Sequence, residues 1–187
     1  MPDSSHSNSE RPFSEQPKRS ALDRFLTGIS ESVFLGKLGV ADIQMVDYLS
    51  DLLLRFVRSD ALCKVRRGTG EPVTEVYQML QEGQKRIGLA RREVHRHIGD
   101  FTLFWSGMYP ESLRRPSKSS VDGFLDYCQQ GKRAYAIAAE IEGGTERPPC
   151  ELLIQLSDQF DLCAYGLREI RRAWEEGEDD AGGLLLR

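Results

Sequence analysis

At 187 residues the chain has room for one well-cored domain with flexible ends and too little for two full-sized domains. The apolar fraction of 40% omits glycine, and with 17 glycines added the composition reaches the usual globular range, which excludes disorder throughout. The formal charge of −4 sits almost entirely in residues 175–187, where Glu175, Glu176, Glu178, Asp179 and Asp180 stand against Arg187 alone, and the nearly neutral body excludes a domain built mainly to coat nucleic acid.

Residues 1–19 are rich in Ser, Pro and charge, with Phe13 as their one aromatic, and cannot bury enough surface to offset ordering entropy. A disordered N-terminal arm is expected there. From Ser20, the three- and four-residue spacing of Leu22, Phe25, Leu26, Ile29 and Val33 predicts an amphipathic helix ending near Gly36 to Gly39. Asp42 can cap a second helix, whose stripe of Met45, Val46, Leu49, Leu52, Leu53, Phe56 and Val57 is wide enough for a central position. After a possible extra turn at 60–64, RRGTGEP reads as a loop, and Pro72 suits the first turn of a helix running through Val73, Val76, Tyr77, Leu80 and Ile87.

The next helix carries LARREVHRHIGDFTLFWSGMY, residues 89–109, which holds two of the three histidines directly before a block of aromatics. Ile87, Ala90, Val94, Ile98, Phe101, Trp105 and Met108 form its apolar seam, and it stops at Tyr109-Pro110 because proline disfavours the α conformation of the residue before it. RRPSKSS is a linker to a helix from about Val121 to Ile141, interrupted by Gly131. GGTERPP breaks the chain again, and Pro148 or Pro149 opens a last helix whose Leu153, Leu156, Phe160, Cys163, Leu167, Ile170 and Trp174 alternate by three and four. That spacing suits either a coiled-coil dimer seam or a core helix, and fewer than four heptads favour the core.

The expected architecture is therefore all-α: a single helical bundle of about five or six helices over residues 20–174, with the arm 1–19 before it and an acidic flexible tail, 175–187, after it. Cys63, Cys128, Cys150 and Cys163 form no CxxC pair and have no His at ligand spacing, so no metal site is expected and free thiols in a reducing compartment are the reading. No run approaches the roughly 18 apolar residues of a membrane span, and MPDSSHSNSERPFSEQPKR lacks the apolar stretch of a secretion signal. A cytoplasmic location and no cofactor are the resulting expectations, since GxSxG and phosphate-loop signatures are also missing.

At about 100° per residue, the positions of the histidine helix can be sorted around Val94. His97 falls roughly 60° to one side, with Glu93, Asp100 and Phe104 on the same flank, and is expected to pair with one of the two carboxylates. Arg91 and His95 fall on the opposite flank, and Arg92 and Arg96 towards solvent. Lys85, Arg86, Arg91, Arg92 and Arg96 then make a basic surface that is either a solvated face or a phosphate- or acid-binding patch. Phe101, Phe104, Trp105 and Tyr109 are either core or stacking platforms.

Arg92-Glu93-Val94-His95-Arg96-His97 resembles the loose Arg-polar-x-x-x-His pattern of HEPN domains, helical bundles that often dimerise and in many cases cleave RNA without a metal. The resemblance implies His97 acting on the ribose hydroxyl and Arg92 stabilising charge on phosphorus. Family members usually carry Asn, Asp or His where Glu93 stands, and a regular helix sets Arg92 about 140° from His97, so the pair would meet only at a helix end or across a dimer. A segment similar to RREVHRHIGDFTLFWSGMYPESL, with neighbours like VDYLSDLLLRFV and QQGKRAYAIAAEI, also resembles uncharacterised bacterial helical proteins, which implies a single domain and no particular activity.

The leading expectation is a non-enzymatic interaction or regulatory module that binds a protein partner by its basic flank or a groove beside Trp105, with its last helix as a candidate homodimer contact. The binding candidates are Arg91, Glu93, His95, Arg96, His97, Asp100, Phe104 and Trp105. The alternative is a HEPN-like ribonuclease using Arg92 and His97.

Overall fold

The computed structural model describes residues 20–58, 64–66, 70, 73, 75–113, 124–142 and 148–184. The expected arm 1–19, the linker RRPSKSS and the final residues 185–187 lie outside them, as do most of the RRGTGEP and GGTERPP loops. Eight α-helices are described: α1 (Ala21–Glu31), α2 (Ile43–Val57), α3 (Val76–Gln84), α4 (Gly88–Met108), α5 (Pro110–Leu113), α6 (Phe124–Ala139), α7 (Cys150–Asp158) and α8 (Phe160–Leu184). The all-α bundle is as expected, with more helices than five or six because the last anticipated helix divides into α7 and α8 and a one-turn helix, α5, follows α4.

Local chemistry sets the ends. Ser20 and Asp23 form a reciprocal capping box at α1, each satisfying a backbone N–H of the other, and the Asp42 side chain caps α2 at the Met45 N–H. Beyond Glu31 the backbone widens into a π-helical turn, Ser32–Lys37, closed by Gly39 at φ +67°. Pro72, the expected start of α3, and residues 60–63 of the possible extra turn lie outside the described residues. The Val73 N–H donates to the Val65 carbonyl at 2.8 Å, joining two buried valines, and the helix begins at Val76. The last predicted helix breaks at Gln159, giving α7 and α8. Helix α8 continues to Leu184, through most of the segment assigned to a flexible tail.

Helix α4 is the hub: it packs against α2, α3, α5, α6 and α8. From Val94 to Phe104 every residue is buried, so this helix has no solvated face in its middle turns. Its N-terminal end differs from the expected seam, because Ile87 is 86% exposed and Ala90 is exposed as well. Most of the 3/4 stripe of α7 and α8 goes into the bundle: Leu153, Leu156, Phe160, Cys163, Leu167 and Ile170 are fully buried. Those side chains are core, whereas Trp174, the last of the stripe, is partly buried.

Two glycines fix how closely the helices approach. A Cβ at Gly99 of α4 would lie 2.6 Å from the Tyr135 ring of α6, and one at Gly166 of α8 would enter the buried ring of Phe34. Gly166→Ala is expected to destabilise the fold by about 1–3 kcal/mol through overpacking. Gly28→Ala, at an exposed position of α1 with nothing near the new methyl, is expected to stabilise by roughly 0.5 kcal/mol. Urea unfolding of both variants checks the pair, and equal midpoints would contradict the packing at Phe34.

Candidate functional site

The candidate residues all lie on α4, and the surrounding helices sort them into three environments. The first is a charge network in the core. Asp100 Oδ1 accepts hydrogen bonds from the Tyr48 hydroxyl of α2 at 2.5 Å and the Tyr135 hydroxyl of α6 at 2.9 Å. Its Oδ2 accepts from the Arg96 guanidinium at 3.1 Å and lies 3.4 Å from that of Arg55. Arg96 also donates twice to Glu93, at 2.8 and 3.1 Å, and Lys64 sits 3.5 Å from the same carboxylate. The hydrogen bonds from Arg96 pull the Glu93 carboxyl down to about 2, and burial together with Asp100 raises the Tyr48 phenol. One carboxylate thereby ties α2, α4 and α6 together with its acceptor positions filled.

This placement corrects two expectations. Arg96 is buried in the network instead of solvated, and Arg92, expected in water, is 1% exposed and donates to the Pro148 carbonyl ahead of α7. A position read as outward-facing is covered because the middle turns of α4 are enclosed on every side, and each guanidinium is offset by an acceptor: a carbonyl from the segment ahead of α7 for Arg92, and the Glu93 and Asp100 carboxylates of α4 itself for Arg96. The basic surface is correspondingly dispersed. Lys85 pairs with Glu82, Arg86 donates to the Arg66 carbonyl, and Arg91 stays exposed.

The second environment surrounds the histidines. His97 is 2% exposed and hydrogen-bonds neither Glu93 nor Asp100, whose acceptors are taken by arginine and tyrosine. Its ring instead lies parallel to Phe56, 7° between planes with centroids 6.2 Å apart, and its Nε2 has no partner. Burial lowers it to about 4, against a smaller opposing pull from Asp100. His95 is 3% exposed on the opposite flank, with neither ring nitrogen partnered, and burial followed by nearby Arg91 lowers it to about 4. Both imidazoles are neutral near pH 7.

The third environment is a groove at the C-terminal end of α4. Phe56 stacks on Phe104 at 4.7 Å, Phe104 meets Trp105 edge-on at 5.8 Å, and Trp105 meets Tyr109 at 5.5 Å. With Val57, Met108, Arg171, Trp174 and Glu175 these rings line a cleft of about 540 Å3. Arg171 closes one side: it donates to the Met108 carbonyl at 2.6 Å, pairs with Glu111 and Glu175, and stacks over Tyr109. Trp105 Nε1 is buried and has no hydrogen-bond partner.

Arg92 and His97 do not meet. Arg92 faces the Pro148 carbonyl and His97 the Phe56 ring, and no described cleft contains both. Among the described residues no group of three His, Cys, Asp or Glu side chains could hold a metal ion, and no described helix is long and apolar enough to cross a membrane. Comparison with protein-family models, with curated proteins and with solved structures finds no match for this chain.

Sequence reasoning missed Tyr48, Arg55 and Tyr135 in the network, and Phe56, Arg171 and Trp174 in the groove. They come from α2, α6 and α8, and no local spacing announces which face of one helix will meet a residue tens of positions away.

Proposed function

We propose that this protein is a cytoplasmic, non-enzymatic binding module that docks a partner polypeptide in the groove beside Trp105. The observation that carries the reading is the open aromatic cleft lined by Trp105, whose buried indole N–H has no hydrogen-bond partner. A buried donor without an acceptor costs about 1–3 kcal/mol, and a carbonyl brought by a partner would recover it. Tryptophan and tyrosine in a partly desolvated cleft are also the side chains that dominate binding energy at protein interfaces.

The groove's charges specify the occupant. Arg171 is already offset by Glu111 and Glu175, leaving an acidic rim around an aromatic floor. It suits a segment with a leucine-type or aromatic anchor next to lysine or arginine, which offers a backbone carbonyl to Trp105. The ribonuclease reading gains no support from the positions of Arg92 and His97, because neither faces a shared cleft.

Tyr109 is half-exposed at the groove and Tyr77 is exposed outside it, so a photoreactive benzoylphenylalanine at each position makes a controlled pair. Irradiation in cells is expected to give one discrete adduct from position 109, absent from 77, whose crosslinked segment carries an apolar anchor and a basic neighbour. The matching synthetic peptide should then shift tryptophan emission, since both tryptophans of the chain line the groove. It should bind Trp105→Ala about tenfold more weakly. Identical adducts from both positions, or a peptide indifferent to Trp105→Ala, would overturn the reading.

A further inference from the structure

A second cleft, of about 370 Å3, opens between α3, α4 and α6 on the flank of α4 away from the Asp100 network. Its polar lining is Gln84 from α3, Arg91 and His95 from α4, and Gln130 and Arg133 from α6. No carboxylate lines it, so the cleft presents two guanidiniums, two amides and an imidazole with nothing anionic to answer them.

Whereas Arg96, further along α4, pairs with two carboxylates, neither arginine of the cleft has an ion-pair partner among the described residues. Between them His95 is buried with both ring nitrogens unpartnered. Helix α3 closes over one edge of the ring, where a Cβ at Gly83 would come within 3.1 Å of Nε2. A buried polar ring left unsatisfied in a well-packed fold calls for a partner, and here the flanking charges define its sign.

We propose that this cleft binds a small molecule carrying an oxyanion, a carboxylate or a phosphate, on a short apolar body. The guanidiniums match the planar geometry of either group bidentately, and a neutral imidazole supplies one N–H donor from the floor. Leu80 and Ile137 give the wall against which the apolar part lies. The volume is at the small end of the range for ligand pockets, which fits a metabolite-sized molecule better than a polymer segment. This site stands apart from the Trp105 groove and does not depend on the reading given for it.

The test uses the full chain, with imidazole resonances followed by NMR and His95 assigned through His95→Gln. Inorganic phosphate, phenyl phosphate and hexanoate are titrated in turn, with hexanamide as the uncharged control. At least one oxyanion is expected to shift His95 saturably while leaving His97 in place, with hexanamide inert. Arg91→Ala and Arg133→Ala, both at exposed positions that leave the core untouched, should each weaken that binding by about tenfold. A response to phosphate and phenyl phosphate alone marks the ligand as a phosphate, and one to hexanoate alone marks it as a carboxylate. No saturable shift with any oxyanion, an equal shift with hexanamide, or affinity unchanged in both arginine variants would overturn the proposal.

Discussion

Replacing Asp100 with alanine is expected to lower the unfolding free energy by about 3–5 kcal/mol, the usual consequence of removing one partner from a buried charge cluster. Truncation leaves the Arg96 and Arg55 guanidiniums facing each other without the carboxylate between them, and strands the Tyr48 and Tyr135 hydroxyls. For a domain of this size the loss corresponds to a drop in melting temperature of roughly 10 °C. Asp100→Asn should cost less, because an amide oxygen can still accept from both tyrosines, but its NH2 must then face the Arg96 donor. Tyr48→Phe and Tyr135→Phe each remove one donor and are expected to cost about 1 kcal/mol. Combined with Asp100→Ala, either phenylalanine should add almost nothing, since the acceptor has gone. Thermal and urea unfolding of the series checks this, and an Asp100→Ala protein within about 1 kcal/mol of the parent would mean that the carboxylate holds nothing together.

The helix pattern was legible wherever one side of a helix meets water. Asp42 capping α2 and the α7–α8 stripe entering the core follow directly from residue type and spacing. Helix α4 was misread because periodicity assumes an outside. Arg92 and Arg96 fall on the face a one-sided helix would expose, yet neighbours cover that face; the segment ahead of α7 supplies a carbonyl to Arg92, and α4's own Glu93 and Asp100 supply the carboxylates to Arg96. The placement of Arg91 and His95 away from His97 did follow from the 100° rule, since both line the cleft on that other flank. Ile87 failed for a local reason. Gly88 turns the chain at φ +53°, so Ile87 caps α4 from outside the packed turns and its side chain projects into water. No spacing could have found Arg133 or Tyr135, because their relation to α4 is created by the packing of α6.

Acid is expected to begin destabilising the protein above the range in which carboxylates protonate, because His95 and His97 are buried in the neutral form. Their folded values near 4 lie below the ordinary unfolded value of about 6.5. Between those limits the unfolded chain binds more protons than the folded one, so stability rises with pH across the window and falls as pH drops from 6.5 towards 4. With both imidazoles contributing, the slope near pH 5 should be roughly 2 kcal/mol per pH unit, and the loss across the window on the order of 5 kcal/mol. Glu93 does not confuse the signal: held at about 2 by Arg96, it stays ionised throughout, and its own contribution is lost only as pH falls below about 4.5 towards 2. His97→Phe preserves a ring against Phe56 and Phe101 and should halve the slope while keeping the neutral-pH stability close to the parent's. His95→Gln should remove the other half, and the double variant should be nearly flat between pH 7 and about 5. Urea midpoints at half-unit pH intervals measure this directly. A parent protein whose midpoint is constant from pH 7 to 5, or a double variant as acid-sensitive as the parent, would show that these rings are already solvated or charged in the folded state.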